Sequence, residues 1–290
     1  ALPIWGQTNT ASGTASTVVA GKNNCATNNY GFVGGGFGNV SSGNYSTLSG
    51  GYCNTASGIY STVGGGCVNT ASGYKSATVG GGCCNTAGGS VSTVAGGGTN
   101  TASGNWSFIG GGRLNYSTAN FSGVGGGYGN CSCGGYSFIG GGYINTASSY
   151  NSTVSGGYLN CATGNTSAVG GGQQNTASGA KSTIAGGLSN TASGGCSAVG
   201  GGLSNCATAG FATVAGGRTN CATQAHSVVA GGQLNTASNV YSSVVGGYNN
   251  TASGTYAFVG GGRTNTASGA NAVVGGGISN TSSGACSTVG

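Results

Sequence analysis

The sequence predicts an all-β chain wound as a parallel β-solenoid of the β-roll or β-helix type. Three observations predict it. Asn recurs at 9, 24, 39, 54, 69, 85, 100, 115 and onward to 280, nineteen starts spaced by fifteen residues except for sixteen between Asn69 and Asn85. Numbered from Asn as zero, position nine is Val, Ile or Leu in every unit, from Val18 to Val289, with Val79 in the longer one. Positions eleven and twelve are Gly-Gly in every complete unit but the first, which has Ala20-Gly21. A fixed short period over almost the whole chain marks stacked repeats, each too small to bury a core alone. The reading is about nineteen turns of fifteen residues, two short strands per turn, in one repeat domain over 9–290 after a segment at 1–8.

The leading segment, ALPIWGQT, holds Pro3 and Trp5, and Gly6, Gln7 and Thr8 match the close of a turn. It lacks the charged start and apolar centre of a signal peptide and reads as a mature N-terminus. The turn Asn54–Val68 then serves as template. Its first strand is expected over Asn54–Ser57 and its second over Ser61–Gly64. Alternation places Ala56, Ser61 and Val63 inside, with Thr55, Ser57 and Thr62 outside. Gly58 and Gly65-Gly66 stand where the chain must reverse, and Gly reaches left-handed conformations at no steric cost. Gly and β-branched residues dominate and no 3.6-residue period is present, which excludes helix.

The interior of such a coil is thin and flattened. Its apolar column is position nine, represented by Val63, Val94, Val154, Val199 and Val244. Position zero, for example Asn54, Asn69, Asn85, Asn100, Asn145 and Asn175, is expected to form an inward ladder of amides bonded to the turns above and below. At ~4.8 Å per turn the coil would be about 90 Å long.

Composition narrows function. The 290 residues include 69 Gly and no Asp or Glu, so carboxylate-based acid/base catalysis and Asp/Glu cages for calcium or magnesium are excluded. His226 is the one His, and without an orienting carboxylate or paired Cys-x-x-Cys, neither a Cys-His nucleophile nor a zinc site is expected. The reading is a protein that is not an enzyme and carries no cofactor. The six cations, giving a net charge of +6, are scattered, which is no nucleic-acid footprint. No eighteen-residue apolar run is present, so no membrane span is expected.

The variable positions carry the candidate sites. Aromatics collect at position six (Tyr30, Tyr45, Tyr60, Trp106, Tyr136) and at position thirteen (Tyr143, Tyr158), two ridges suited to corner packing or to contact with neighbouring subunits or glycans. Position eight mixes Thr with Phe32, Phe108, Phe138 and Phe258, an uncharged face that could pack on a second filament or a trimer mate. Twelve Cys suggest an oxidising compartment if they pair, and Cys206 with Cys221, and Cys67 with Cys83, share columns in adjacent turns within disulfide reach. Among the Asn-x-Ser/Thr sequons, Asn44, Asn105, Asn120, Asn151 and Asn165 sit at the corner before the second strand and are the candidate N-glycosylation sites, whereas Asn39, Asn115, Asn130 and Asn280 belong to the inward column.

The run Ala-Ser-Gly-x-x-Ser-x-Val-x-Gly, as in Ala56–Gly65, resembles the head repeats of YadA-like trimeric autotransporter adhesins. The resemblance spans 9–290 and implies a left-handed β-roll, a trimer, and an adhesive or fibrous role outside the cell.

Three functions are weighed. Neither end of the chain shows a polar cap, and open solenoid ends can be continued by another copy, so the first expectation is an extracellular structural or adhesive fibre built by head-to-tail stacking, with self as partner. The second is ice binding, because position one is Thr in twelve turns and position three is Ser or Thr in seventeen, a Thr-x-Ser face similar to insect-type antifreeze solenoids. The third is a trimeric adhesin head binding a receptor or surface glycans.

Overall fold

The computed structural model describes residues 8–290. Pro3, Trp5, Gly6 and Gln7 lie outside them. The described chain is all-β with no helix, and its strands are each two residues long. It divides at the junction of two repeats into compact units, Ala1–Ile144 and Asn145–Gly290. Each unit is a parallel β-solenoid of about fifteen residues per turn, with about nineteen turns in all.

In the first unit the first strand of each turn pairs in register with the same strand one turn on, as in Thr55↔Thr70 and Ala56↔Ala71. The second strands pair likewise, with Thr62↔Thr78 and Val63↔Val79. The second unit repeats this, with Thr176↔Thr191 on the first strand and Val199↔Val214 on the second. The regular ladder covers half of the four-residue strands expected from the sequence. Bonds still extend past it, such as Ser57 N–H to Ala71 O at 2.9 Å and Gly64 N–H to Val79 O at 2.9 Å.

Left-handed backbone occurs at two places per turn, immediately before each expected strand. Position six has positive φ throughout, as at Tyr45 (58°), Tyr60 (58°) and Tyr241 (59°), and so does position fourteen, as at Cys53 (53°) and Val68 (54°). Non-Gly residues visit this region rarely, and each visit costs about 1–2 kcal/mol. Gly58, expected to make the reversal, is not left-handed. The reversal falls two residues later, on Tyr60. Gly58 is needed for close approach, because a Cβ there would lie 1.9 Å from Gly73 O. Gly66 meets both demands, with φ of 88° and a Cβ position 2.0 Å from Gly82 O.

A third line of pairing runs along the Gly-Gly corner. Position thirteen forms parallel bridges from turn to turn, Lys22↔Phe37↔Tyr52↔Cys67↔Cys83 in the first unit and Leu188↔Leu203↔Arg218↔Gln233 in the second. Three lines of inter-turn bonds therefore bound the coil where the sequence indicated two. In the sixteen-residue turn, Lys75 bridges Ile59, and Ser76 N–H bonds to Ile59 O. Those contacts leave Tyr74 as the extra residue, bulged outward and 71% exposed.

The interior holds one small and one branched apolar side chain per turn. Ala56, Ser61 and Val63 are fully buried, as are Val94 and Val154, while Val199 and Val244 are 1% exposed. The Asn column is buried with them. Asn175 Nδ2 donates to Gly171 O and Gly187 O, both at 2.9 Å, and its Oδ1 accepts from the backbone N–H of Asn190 at 3.0 Å. Asn54, Asn69, Asn85 and Asn100 make the same three bonds, and Asn145 bonds to Gly157 O and Asn160 N–H. The partners of these amides are mainly backbone groups. Amide-to-amide bonds occur at some steps only, as from Asn190 Nδ2 to Asn175 Oδ1 at 3.0 Å.

Two substitutions test this account, both read by local hydrogen exchange because a solenoid need not melt as one unit. Val154→Asp buries an unpaired charge and is expected to open the turns around it; unchanged protection would refute the inward placement of position nine. Gly82→Ala meets Gly97 O at 2.1 Å with φ of 88°, whereas a Cβ at Gly81 meets nothing within 4 Å. Gly82→Ala is therefore expected to lose protection and Gly81→Ala to keep it.

Candidate functional site

Apart from the extra residue Tyr74, the side chains that reach solvent belong to columns repeated at the turn spacing, so the candidate sites are columns rather than a cleft. No enclosed pocket occurs among the described residues. The position-six column in the first unit contains two aromatic stacks. Tyr30, Tyr45 and Tyr60 stack with centroids 4.8 and 5.0 Å apart, and Trp106, Phe121 and Tyr136 with 6.3 and 4.7 Å. In the second unit Phe211, His226, Tyr241 and Tyr256 continue at 4.9, 4.7 and 4.9 Å. His226 occupies position six, so the repeat numbering alone identifies it as a member of this ridge. Position thirteen adds Phe37 on Tyr52 at 5.4 Å and Tyr128 on Tyr143 at 5.1 Å. Tyr158 stands in the same column of the second unit, exposed like the rest.

These rings are about half exposed, but the inner rings of each stack have another ring against each face. Sugars dock on ring faces, and here the edges point outward. The stacks thus suit inter-turn packing and edge contacts better than glycan platforms. With no carboxylate in the chain, cations turn to rings: Arg263 lies 5.7 Å from the Tyr248 centroid and Lys75 5.8 Å from that of Tyr74.

The outer surface of the first strands is a hydroxyl face. Position one is mostly half-buried and position three mostly exposed. In the second unit every turn carries one Thr on this face. It stands at position one except where Cys takes that place, and then at position three: Cys161 with Thr163, Cys206 with Thr208, Cys221 with Thr223. The outer surface of the second strands is less uniform, with Phe32, Phe108, Phe138 and Phe258 exposed.

The cysteines depart from the sequence reading. Cys67 and Cys83 are register partners yet both are free, because the Cys83 sulfur lies 3.2 Å from that of Cys84. Cys206 and Cys221 are also free, with sulfurs 2.8 Å apart. The sulfurs that meet are those of Cys131, in a strand, and Cys133, just past its end, with Cα atoms 5.7 Å apart. A hydrogen bond from Cys206 lowers the Cys221 thiol to about 7, and the same contact pushes Cys206 up. The bond with Cys83 raises Cys84, and burial raises Cys161.

The candidate glycosylation residues Asn105, Asn120, Asn151 and Asn165 are exposed, while Asn44 is half-buried with an unbonded Oδ1. The third residue of four of these sequons faces the core: Ser46, Ser107, Ser122 and Ser167 are buried. Recognition of their hydroxyls would have to precede folding. Of the inward-column sequons, Asn39, Asn115 and Asn130 are buried, and Asn280 is half-buried.

No protein-family model matches the chain, and no curated protein shows significant similarity to it.

The left-handed aromatic column gives a test. Tyr45→Ala removes two ring contacts, worth about 0.5–1.5 kcal/mol each, and keeps the strain. Tyr45→Gly removes the same contacts and relieves the strain. The Gly variant is expected to retain more hydrogen-exchange protection at residues 29–61 than the Ala variant; the opposite order would show that the φ of Tyr45 is not strained.

Proposed function

We propose that this chain is a subunit of an extracellular structural or adhesive fibre, with no catalytic role, and that copies stack end to end through the edges of the solenoid. One observation carries the reading: each turn binds the next by the same bonds in the same register, within each unit. Asn69 binds Asn85 as Asn54 binds Asn69, and Thr70 pairs with Thr86 as Thr55 pairs with Thr70. Any turn is thus a template for another copy of itself, and a contact of this head-to-tail type generates open filaments. The exposed Phe residues of the second-strand face and the ring edges at positions six and thirteen offer lateral contacts for a bundle or trimer. The extracellular placement rests on the resemblance to adhesin heads.

A second reading, ice binding, is favoured by one specific observation: the Thr that recurs on the first-strand face of every turn of the second unit, at position one or three. It would use a regular array of methyl and hydroxyl groups on a rigid sheet.

Negative-stain electron microscopy of the purified protein at neutral pH separates the two. Filaments many times longer than one chain are expected. Single short rods at all concentrations would overturn the fibre, and thermal hysteresis from those rods would establish the second reading in its place.

A further inference from the structure

Cys206 and Cys221 are register partners on neighbouring parallel strands of the first-strand face. Thr191 precedes them in the column and Thr236 follows. The two sulfurs, 2.8 Å apart, are half-buried and open to solvent on one side. Nothing around them supplies a third strong ligand. The chain has no Asp or Glu, and His226 is held between Phe211 and Tyr241. No group of three or more metal-ligating side chains occurs among the described residues.

That donor set is selective. Calcium and magnesium require six or more oxygen ligands and zinc four ligands, none of which two thiols can complete. Soft thiolate ligands select Cu(I). Two bonds of about the zinc–thiolate length, about 2.3 Å, set in line span about 4.6 Å, close to the strand spacing of about 4.7–4.9 Å. Rotation of the two side chains away from their present contact opens that span with the backbone in place.

We infer that Cys206 and Cys221 form a two-coordinate thiolate site for a soft monovalent cation, Cu(I) being the representative. Binding forms two metal–sulfur bonds and breaks two S–H bonds, M⁺ + 2 RSH → [M(SR)₂]⁻ + 2 H⁺, with no change of oxidation state. Cys25 and Cys161 stand in the same column without such a partner: Cys25 pairs with Thr10 and Val40, and Cys161 with Thr146 and Thr176. The site depends on adjacency, which these two lack. Cys83 and Cys84 form the competing pair, with sulfurs 3.2 Å apart on successive residues.

The test is an anaerobic titration of the reduced full chain with Cu(I) held by a chromogenic chelator. Thr is the usual residue of this column, so Cys206→Thr and Cys221→Thr preserve the fold. Each is expected to weaken the tightest equivalent at least 100-fold, whereas Cys25→Thr and Cys83→Ser leave it unchanged. Affinity should fall with falling pH, because binding displaces the thiol protons. Retention of the tightest equivalent in both Thr variants, or its loss in Cys83→Ser, would overturn the assignment.

Discussion

The hydrogen bonding of the buried Asn column is the constraint on which the rest of the fold depends. A carboxamide in so narrow a core must spend its polar groups inside the coil. Asn69 does so by donating to Gly65 O and Gly82 O and accepting from Asn85 N–H. Those partners can be reached only if the backbone at the neighbouring corner comes very close. At Gly66 a Cβ would sit 2.8 Å from Asn69 Nδ2 and 2.0 Å from Gly82 O. Asn at position zero and Gly at position twelve are therefore one device, and neither residue type works without the other. The same logic explains Ala20 in the first turn: position eleven supplies only its carbonyl, which Asn24 Nδ2 reaches at 3.1 Å.

Against this stands the strain of two left-handed non-Gly residues in most turns, about 2–4 kcal/mol per such turn. Three Asn bonds return about 1.5–4.5 kcal/mol net, which roughly offsets it. The three lines of inter-turn backbone bonds, the buried Ala and Val and the stacked rings then decide the balance in favour of the fold. The aromatics at position six take part in that balance as well as in the surface. A ring stacked at 4.7–5.0 Å on its neighbours contributes where the backbone is strained. Where the column lacks rings, as at Ser76 and Val91, the same φ persists, at 51° and 58°. The corner is thus imposed by the coil, and the rings only lighten its cost.

Much of the fold was legible because a fifteen-residue period amounts to nineteen readings of one turn. Constant positions announced the core: Ala56, Ser61 and Val63 are inside for the reason that alternation gives. The backbone escaped the reading. Gly58 looked like a reversal but marks a close approach, and the true reversal sits on Tyr60, a residue type that carries no left-handed signature. The third line of bridges was hidden for a similar reason. Position thirteen varies from Lys22 to Tyr52 to Gln173 because its backbone makes the bond and its side chain is free to differ. The cysteine pairs were legible only as neighbours: sharing a column set the separation of Cys206 and Cys221, and both thiols are free.

The division between constant and variable positions also bears on function. Side chains that hold one turn to the next are nearly invariant, while those at positions six, eight and thirteen change from turn to turn. A surface shaped to grip one compact ligand would concentrate its special residues in a few turns. Here rings, cations and thiols are distributed along the columns of both units, and the most regular surface is the hydroxyl face of the first strands in the second unit. The fibre proposed above would use these columns along each unit, which suits a repetitive partner better than a single small substrate. The thiol pair at Cys206 and Cys221 is an exception in kind, because two adjacent turns there carry the same reactive residue on an otherwise inert face.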